Sequence, residues 1–231
     1  MLAQPIQSQS RASDPMTTDP HAVNEFTVAD FLASRLCHDL VGPISAVANG
    51  LELLSESPQM EEEAVGLARR SAARATALVQ FFRLAFGNAG NQIVRPQEAQ
   101  AAALGLFQDG RVKLDWSMSP ETLALPAGAG KLLLNMILMA ADALPRGGRI
   151  LALTTGEAGA IRFVVRAMGT DAKLTDDEAA ALAAQTPPND LTPRTVQAYL
   201  AGRLAARFGA HLKPQAVAPG EVLFEVRIPS A

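Results

Sequence analysis

One cysteine, Cys37, and three histidines in 231 residues leave little from which to build a metal centre or a covalent framework. No intrachain disulfide can form, and a cysteine-rich zinc site is excluded. Positive charge is also short. Lys and Arg number 20 against 23 Asp and Glu, and a formal net charge of −3 argues against a protein that tracks a phosphate backbone. No run of about 18 apolar residues occurs, and the opening MLAQPIQSQSRASDPMTTDPHA lacks the apolar core of a secretory signal. A soluble protein of a reducing cytoplasm is expected. What remains is globular in character, since 48% of the residues are apolar and the length suffices for one large domain or two small ones.

The pattern along the chain favours two domains after a tail. Residues 1–24 are rich in Gln, Ser, Asp, Thr and Pro and too poor in large apolar groups to offset the entropy of ordering, so they are expected to be flexible. Residues 25–87 read as a helical hairpin. Thr27 can cap a helix with Asp30 reaching back to it, and Val28, Leu32, Leu36, Leu40, Ile44, Val47, Leu51 and Leu54 recur at three- and four-residue steps over about 45 Å. Ser57-Pro58 ends that helix and suits the start of the next, where Glu61, Glu62 and Glu63 meet the positive end of the helix dipole. The second stripe runs from Met60 to Phe86 and stops at Gly87 in the linker GNAGNQ, which supplies helix-ending and turn residues. Two helices cannot bury both stripes between themselves. A second copy would complete a four-helix bundle through residues 27–86, so a homodimer is expected.

Residues 93–231 change period. RVKLDW (111–116), RILALTT (149–155), IRFVVR (161–166) and EVLFEVRI (221–228) alternate as half-buried strands do, and residues 127–144, 175–185 and 193–208 read as helices. Helices mixed with antiparallel strands make an α/β sandwich.

His38 lies two residues from both Leu36 and Leu40, which at about 100° per residue turns it away from their stripe and toward water. An exposed histidine is ordinarily only a solvated side chain, and the lesser reading of Asp39 is a solvated helix carboxylate. The neighbours argue for more. Gly42-Pro43 follows within five residues, and Pro43 removes an amide donor and presses on the Asp39 carbonyl, at a cost of about 3 kcal/mol in a helix interior. A bend or loosening beside the histidine is expected there.

HDLVGP, residues 38–43, resembles the phosphoacceptor box of two-component histidine kinases, H-(E/D)-x-x-x-P, on the first helix of a hairpin as in that family. A neutral imidazole is a competent phosphoryl acceptor near pH 7, and Asp39 would orient the ring or take up its proton. The second half is similar to the kinases' ATP-binding sandwich but departs from its nucleotide boxes. NMILMA (135–140) puts Met139 where the family has its magnesium-holding asparagine. AMGTD (167–171) puts Ala167 in place of the adenine-reading aspartate, and the glycine-rich lid survives only as Gly202 in a helical pattern. A thioether is a poor magnesium ligand.

HDLVGPISAVANGLELL closely resembles the histidine phosphotransferases of alphaproteobacterial phosphorelays, and the resemblance spans roughly residues 25–228. It implies an α+β fold, with a long hairpin forming a dimeric four-helix bundle followed by a degenerate kinase-like α/β sandwich. It also implies no cofactor and no metal on this chain, and Mg²⁺ on the partner. The receiver domain of a hybrid kinase similar to CckA would donate the phosphoryl group, response regulators similar to CtrA and CpdR would accept it, and cell-cycle control would be the setting. A docking helix would meet Ser34, Arg35, Asp39, Gly42, Ser45, Ala46 and Asn49, with Phe81 and Arg83 of the second helix either completing the cleft or serving equally well as core and rim residues. Arg146, Arg149, Arg166 and Arg203 are candidate partner contacts on the second domain. Three competing functions stay open: an autophosphorylating kinase, a silent scaffold that binds receivers, and a metal site on His21, His38 and His211.

Overall fold

The computed structural model describes residues 20–56, 58–92, 96–119 and 124–230. Most of the expected tail, the Ser57 cap and the opening of the second domain at 93–95 lie outside the described residues, as do the side chains of residues 20–25 and of Pro58.

The first helix, α1 (Pro20–Glu56), begins seven residues before Thr27, which therefore lies inside the helix instead of capping it. Proline suits a first turn because its fixed φ is helical and its missing amide would have no partner there. The helix passes through Pro43 without interruption. After a 3-10 turn at Pro58–Met60, α2 (Glu61–Ala85) opens with Glu61, Glu62 and Glu63. The two helices approach closely at small residues. Gly50 is buried, and a Cβ on it would stand 3.0 Å from the Ala64 carbonyl oxygen and 3.0 Å from the Ala68 amide.

The second half contains α3 (Pro96–Phe107), β1 (Val112–Met118), α4 (Ala129–Asp142), β2 (Gly148–Glu157), β3 (Ala160–Met168), α5 (Asp176–Leu182), α6 (Val196–Ala206), β4 (Lys213–Ala218) and β5 (Glu221–Pro229). The strands form one sheet in the order β1-β2-β3-β5-β4. β1 and β2 run parallel and the remaining pairs antiparallel, which corrects the expectation of antiparallel strands throughout. The parallel pair follows from α4, which carries the chain back across the sheet between them. Two elements were not anticipated. PQEAQAAALGLF (α3) has too few large side chains to mark a stripe, and KPQAVA (β4) is an edge strand that is largely exposed.

One sheet face packs on helices through Ile161, Phe163, Val165 and Ala167 of β3 and Val222, Phe224, Val226 and Ile228 of β5. The other faces water and carries diagonal ion pairs such as Arg162–Glu225. α4 is buried on every side from Ala129 to Ala140, between the sheet, α6 and the lower end of α2. Phe81, Phe82, Leu84 and Ala85 of α2 belong to the same continuous core. The hairpin is therefore rooted in the sandwich, while its upper part projects from it. Among the described residues no helix is long and apolar enough to cross a membrane.

Candidate functional site

His38 leaves α1 on a turn whose other side holds Leu36 and Leu40 against the core, so its side chain is 88% exposed. Its Nδ1 lies 3.2 Å from Oδ1 of Asp39. A carboxylate can only accept, so this contact assigns the proton to Nδ1 and leaves the Nε2 lone pair facing solvent. The arrangement presents a nucleophilic nitrogen with its opposite nitrogen anchored.

Asp39 has a second neighbour. Nε of Arg35, one turn earlier on α1, stands 3.9 Å from Oδ2 of Asp39. Nη2 of the same guanidinium donates to both carboxylate oxygens of Asp142, at 2.8 and 2.7 Å. Arg35 is only 12% exposed, so the expected partner contact is instead an internal tie between α1 and the end of α4. Burial pushes the Asp142 carboxyl up, and the Arg35 guanidinium opposes that shift. Arg74 of α2 completes the surroundings: it donates to the Leu106 carbonyl, and burial draws its guanidinium down against the pull of Asp39 and Asp109. Spacing on α1 could place Arg35 near His38 but could not reveal partners on α2 and α4.

The other expected contact residues divide. Ser34, Gly42, Ser45, Asn49 and Arg83 are exposed, while Ala46 is half-buried, as is Pro43, the residue expected to bend the helix. Phe81 is fully buried, edge-on to Phe82 with ring centroids 6.1 Å apart, and cannot meet a partner. It continues the core of the hairpin's rooted end. Gly42, Pro43 and Ala46 line a groove of about 740 Å³ with Ser71 and Arg74 of α2 and Gly110 beyond α3. It opens one turn after His38. A smaller cavity of about 380 Å³ lies between hairpin and sandwich, lined by Arg35, Asp39, Arg74, Arg111 and Asp142. On a different side of the hairpin Val41, Ile44, Leu51 and Val79 are 52% to 64% exposed. Ile44 and Leu51, expected in the stripe against α2, thus belong to a second, unpartnered apolar face.

The positions matching the kinase nucleotide boxes serve the packing of the fold, and Asn135, with the nearby Lys131, joins its two halves. Asn135 is fully buried; its amide nitrogen donates to the Ala85 and Lys131 carbonyls, both at 2.7 Å, and its oxygen accepts from Gln197 at 2.6 Å. Nζ of Lys131 donates to the Phe86 and Gly87 carbonyls at 2.8 and 3.3 Å, so a cation closes the negative end of α2. Met139 and Ala167 are core residues. Gly202 packs α6 against α5, where a Cβ would fall 2.1 Å from the Leu182 carbonyl oxygen. On the sandwich, Arg146, Arg149 and Arg166 pair with Asp171, Asp115 and Glu221, while Arg203 is exposed. Among the described residues no group of three His, Cys, Asp or Glu side chains could hold a metal. His211 stands before β4 in the sandwich, and the His21 side chain lies outside the described residues.

A solvent-facing, carboxylate-anchored histidine on a hairpin rooted in an α/β sandwich defines a phosphotransfer protein. Comparison with known proteins identifies the family. Residues 96–219 match the histidine phosphotransferase C-terminal domain. The chain is 32% identical over 201 residues to the protein phosphotransferase ChpT of Brucella abortus (strain 2308), covering 86% of this chain and 95% of that one. A bacterial phosphotransferase of known structure is 33% identical and superposes with a TM-score of 0.76, covering 87% of this chain and 96% of that one. The chain belongs to the histidine phosphotransferase family, and its activity is that of a phosphotransferase.

Proposed function

We propose that His38 is the phosphorylated residue and that the protein is the relay intermediate between a hybrid kinase and its response regulators. The observation that carries this is the exposed Nε2 opposite an Nδ1 held by Asp39 at 3.2 Å. In transfer, the Nε2 lone pair attacks the phosphorus of a receiver's aspartyl phosphate, the P–O bond to the aspartate breaks, and a P–N bond forms. The receiver brings its own Mg²⁺, and the displaced carboxylate stays with it. Positive charge gathering on the ring is met by Asp39, which accepts the Nδ1 hydrogen bond throughout. The reverse sequence delivers the group to the next receiver. The groove beside Gly42 and Ala46 supplies room for a receiver helix, because small side chains permit close approach.

ATP plays no part in this scheme on the chain itself, which binds neither cofactor nor metal. Met139 offers a thioether where magnesium needs a hard oxygen, and the Asn135 side chain is committed to Ala85 and Gln197. The exposed face of Val41, Ile44, Leu51 and Val79 supports a homodimer, since an unpartnered apolar stripe of that length is rarely left to water. The working compartment is the cytoplasm, and the partners resemble CckA, CtrA and CpdR.

The test is a transfer assay with a labelled, phosphorylated receiver domain and, in parallel, labelled ATP. Label should pass from the receiver to the wild-type protein, never to His38→Ala, and never directly from ATP. Label taken from ATP would make the protein a kinase. No label in any lane would leave a receiver-binding scaffold.

A further inference from the structure

The Arg35 guanidinium is engaged unevenly. One nitrogen, Nη2, serves both oxygens of Asp142, while Nε is buried without a hydrogen-bond partner and faces Asp39 at 3.9 Å. Asp39 is likewise divided, with Oδ1 on His38 and Oδ2 toward Arg35. Four side chains thus form a line, Asp142–Arg35–Asp39–His38, that starts at the end of α4 and finishes on the exposed imidazole. Arg35 and Asp39 are four residues apart on one helix, so without a competitor they would close into a direct pair. The adjoining cavity of about 380 Å³ leaves the Asp39 carboxylate room to turn.

We propose that Arg35 is a positioning residue shared between Asp142 and Asp39, and that Asp142, by holding the guanidinium, keeps the Asp39 carboxylate on Nδ1 of His38. The second domain thereby sets the tautomer of the phosphoacceptor through one ion pair. This rests on His38 being the acceptor. The charged groups facing the line are Arg74 from α2, which feels Asp39 and Asp109, Arg111 at the cavity wall, and Glu178 from α5, which faces Asp142 and is paired with Arg194 at 3.4 Å. None of them donates a hydrogen bond to Asp39 among the described contacts, so Arg35 is the cation whose capture would matter.

When Arg35 swings onto Asp39, the carboxylate no longer accepts the Nδ1–H hydrogen bond and the imidazole reverts to its solution preference for a proton on Nε2. That nitrogen is then blocked as a nucleophile. The experiment is nitrogen NMR of the full-length protein labelled at histidine, in mildly alkaline buffer, with receiver-to-protein transfer rates measured alongside. The wild type should hold Nδ1–H. Asp142→Asn should move the population toward Nε2–H and slow the first-order transfer step roughly tenfold, with receiver binding unchanged. Asp142→Glu should rescue both. The double variant Arg35→Gln/Asp142→Asn should restore Nδ1–H, because the cation that captured Asp39 is gone. A tautomer unmoved in Asp142→Asn, or unrestored in the double variant, overturns the proposal and leaves a structural tie. Absence of label on every variant, wild type included, would instead overturn the phosphoacceptor role while the tautomer still decides this one.

Discussion

Asn135→Ala separates the two uses to which an asparagine at this position could be put. As a nucleotide-box residue it would matter to ligand binding and little to folding. In the structure it is a buried three-way connector. Replacement removes the donor to the Ala85 carbonyl and the acceptor for Gln197 Nε2, whereas the Lys131 carbonyl keeps its helical partner. Gln197 Oε1 already lacks a partner in the core, so that amide would keep only the long 3.5 Å bond from its nitrogen to the residue 135 backbone carbonyl. A buried polar group left without its partner costs about 1–3 kcal/mol, and two such groups predict a loss of about 3 kcal/mol. For a protein of this size that is a drop of about 6–12 °C in melting temperature. Urea unfolding gives the free energy, and a titration with a magnesium nucleotide runs beside it. A variant as stable as wild type, or one whose nucleotide affinity changes without a change in stability, would refute the connector role.

Two further outcomes follow from the same coordinates. Ile44→Asp places a carboxylate in the exposed apolar face; if that face joins two hairpins, an unpaired buried charge costs about 3 kcal/mol or more, and sedimentation should show dissociation at least 100-fold more favourable, by the 1.4 kcal/mol per decade rule. Unchanged sedimentation would assign the dimer contact elsewhere. The Arg162 guanidinium beside Glu225 holds that carboxyl below its ordinary value. Its folded value thus lies under its unfolded one, so the pair stabilises above about pH 4 and its contribution fades as pH falls through the folded value. Both side chains are partly solvated, at 35% and 26% exposure. Glu225→Gln should therefore lose only about 0.5–1 kcal/mol at pH 7, and urea curves for variant and wild type should converge once the pH falls below the folded value of that carboxyl.

The residues differ in how much of this they betrayed. A stripe repeated over 30 residues averages out local ambiguity, so the hairpin was legible. The four strands with strict alternation were legible because half-burial imposes period two. β4 was not, because an edge strand with its side chains in water has no pattern to show, and α3 buries alanine where periodicity needs bulk. HDLVGP located the histidine and its carboxylate, since both lie within two residues of each other. Arg35 was assigned to the wrong partner for the opposite reason: Asp142 is 107 residues away, and no local rule connects them. Phe81 stayed open between cleft and core because helical period fixes which face a residue occupies, not whether another domain covers that face; the structure makes it core.

The connectors at the foot of the hairpin and the departures from the nucleotide boxes share one physical logic. A kinase domain that carried ATP would have to bring its terminal phosphate to His38, and so would need freedom to move against the helices. Here Lys131 in the first turn of α4 and Asn135 in its middle bond three successive carbonyls at the end of α2, those of Ala85, Phe86 and Gly87. At the other end of α4, Asp142 holds Arg35 on α1. One buried helix is thus fastened to both arms of the hairpin by hydrogen bonds that would each have to be exchanged for water if the domain swung away. Under the proposed transfer from a partner protein such fastening would cost nothing, and it would offer that partner a composite surface of helix and sandwich.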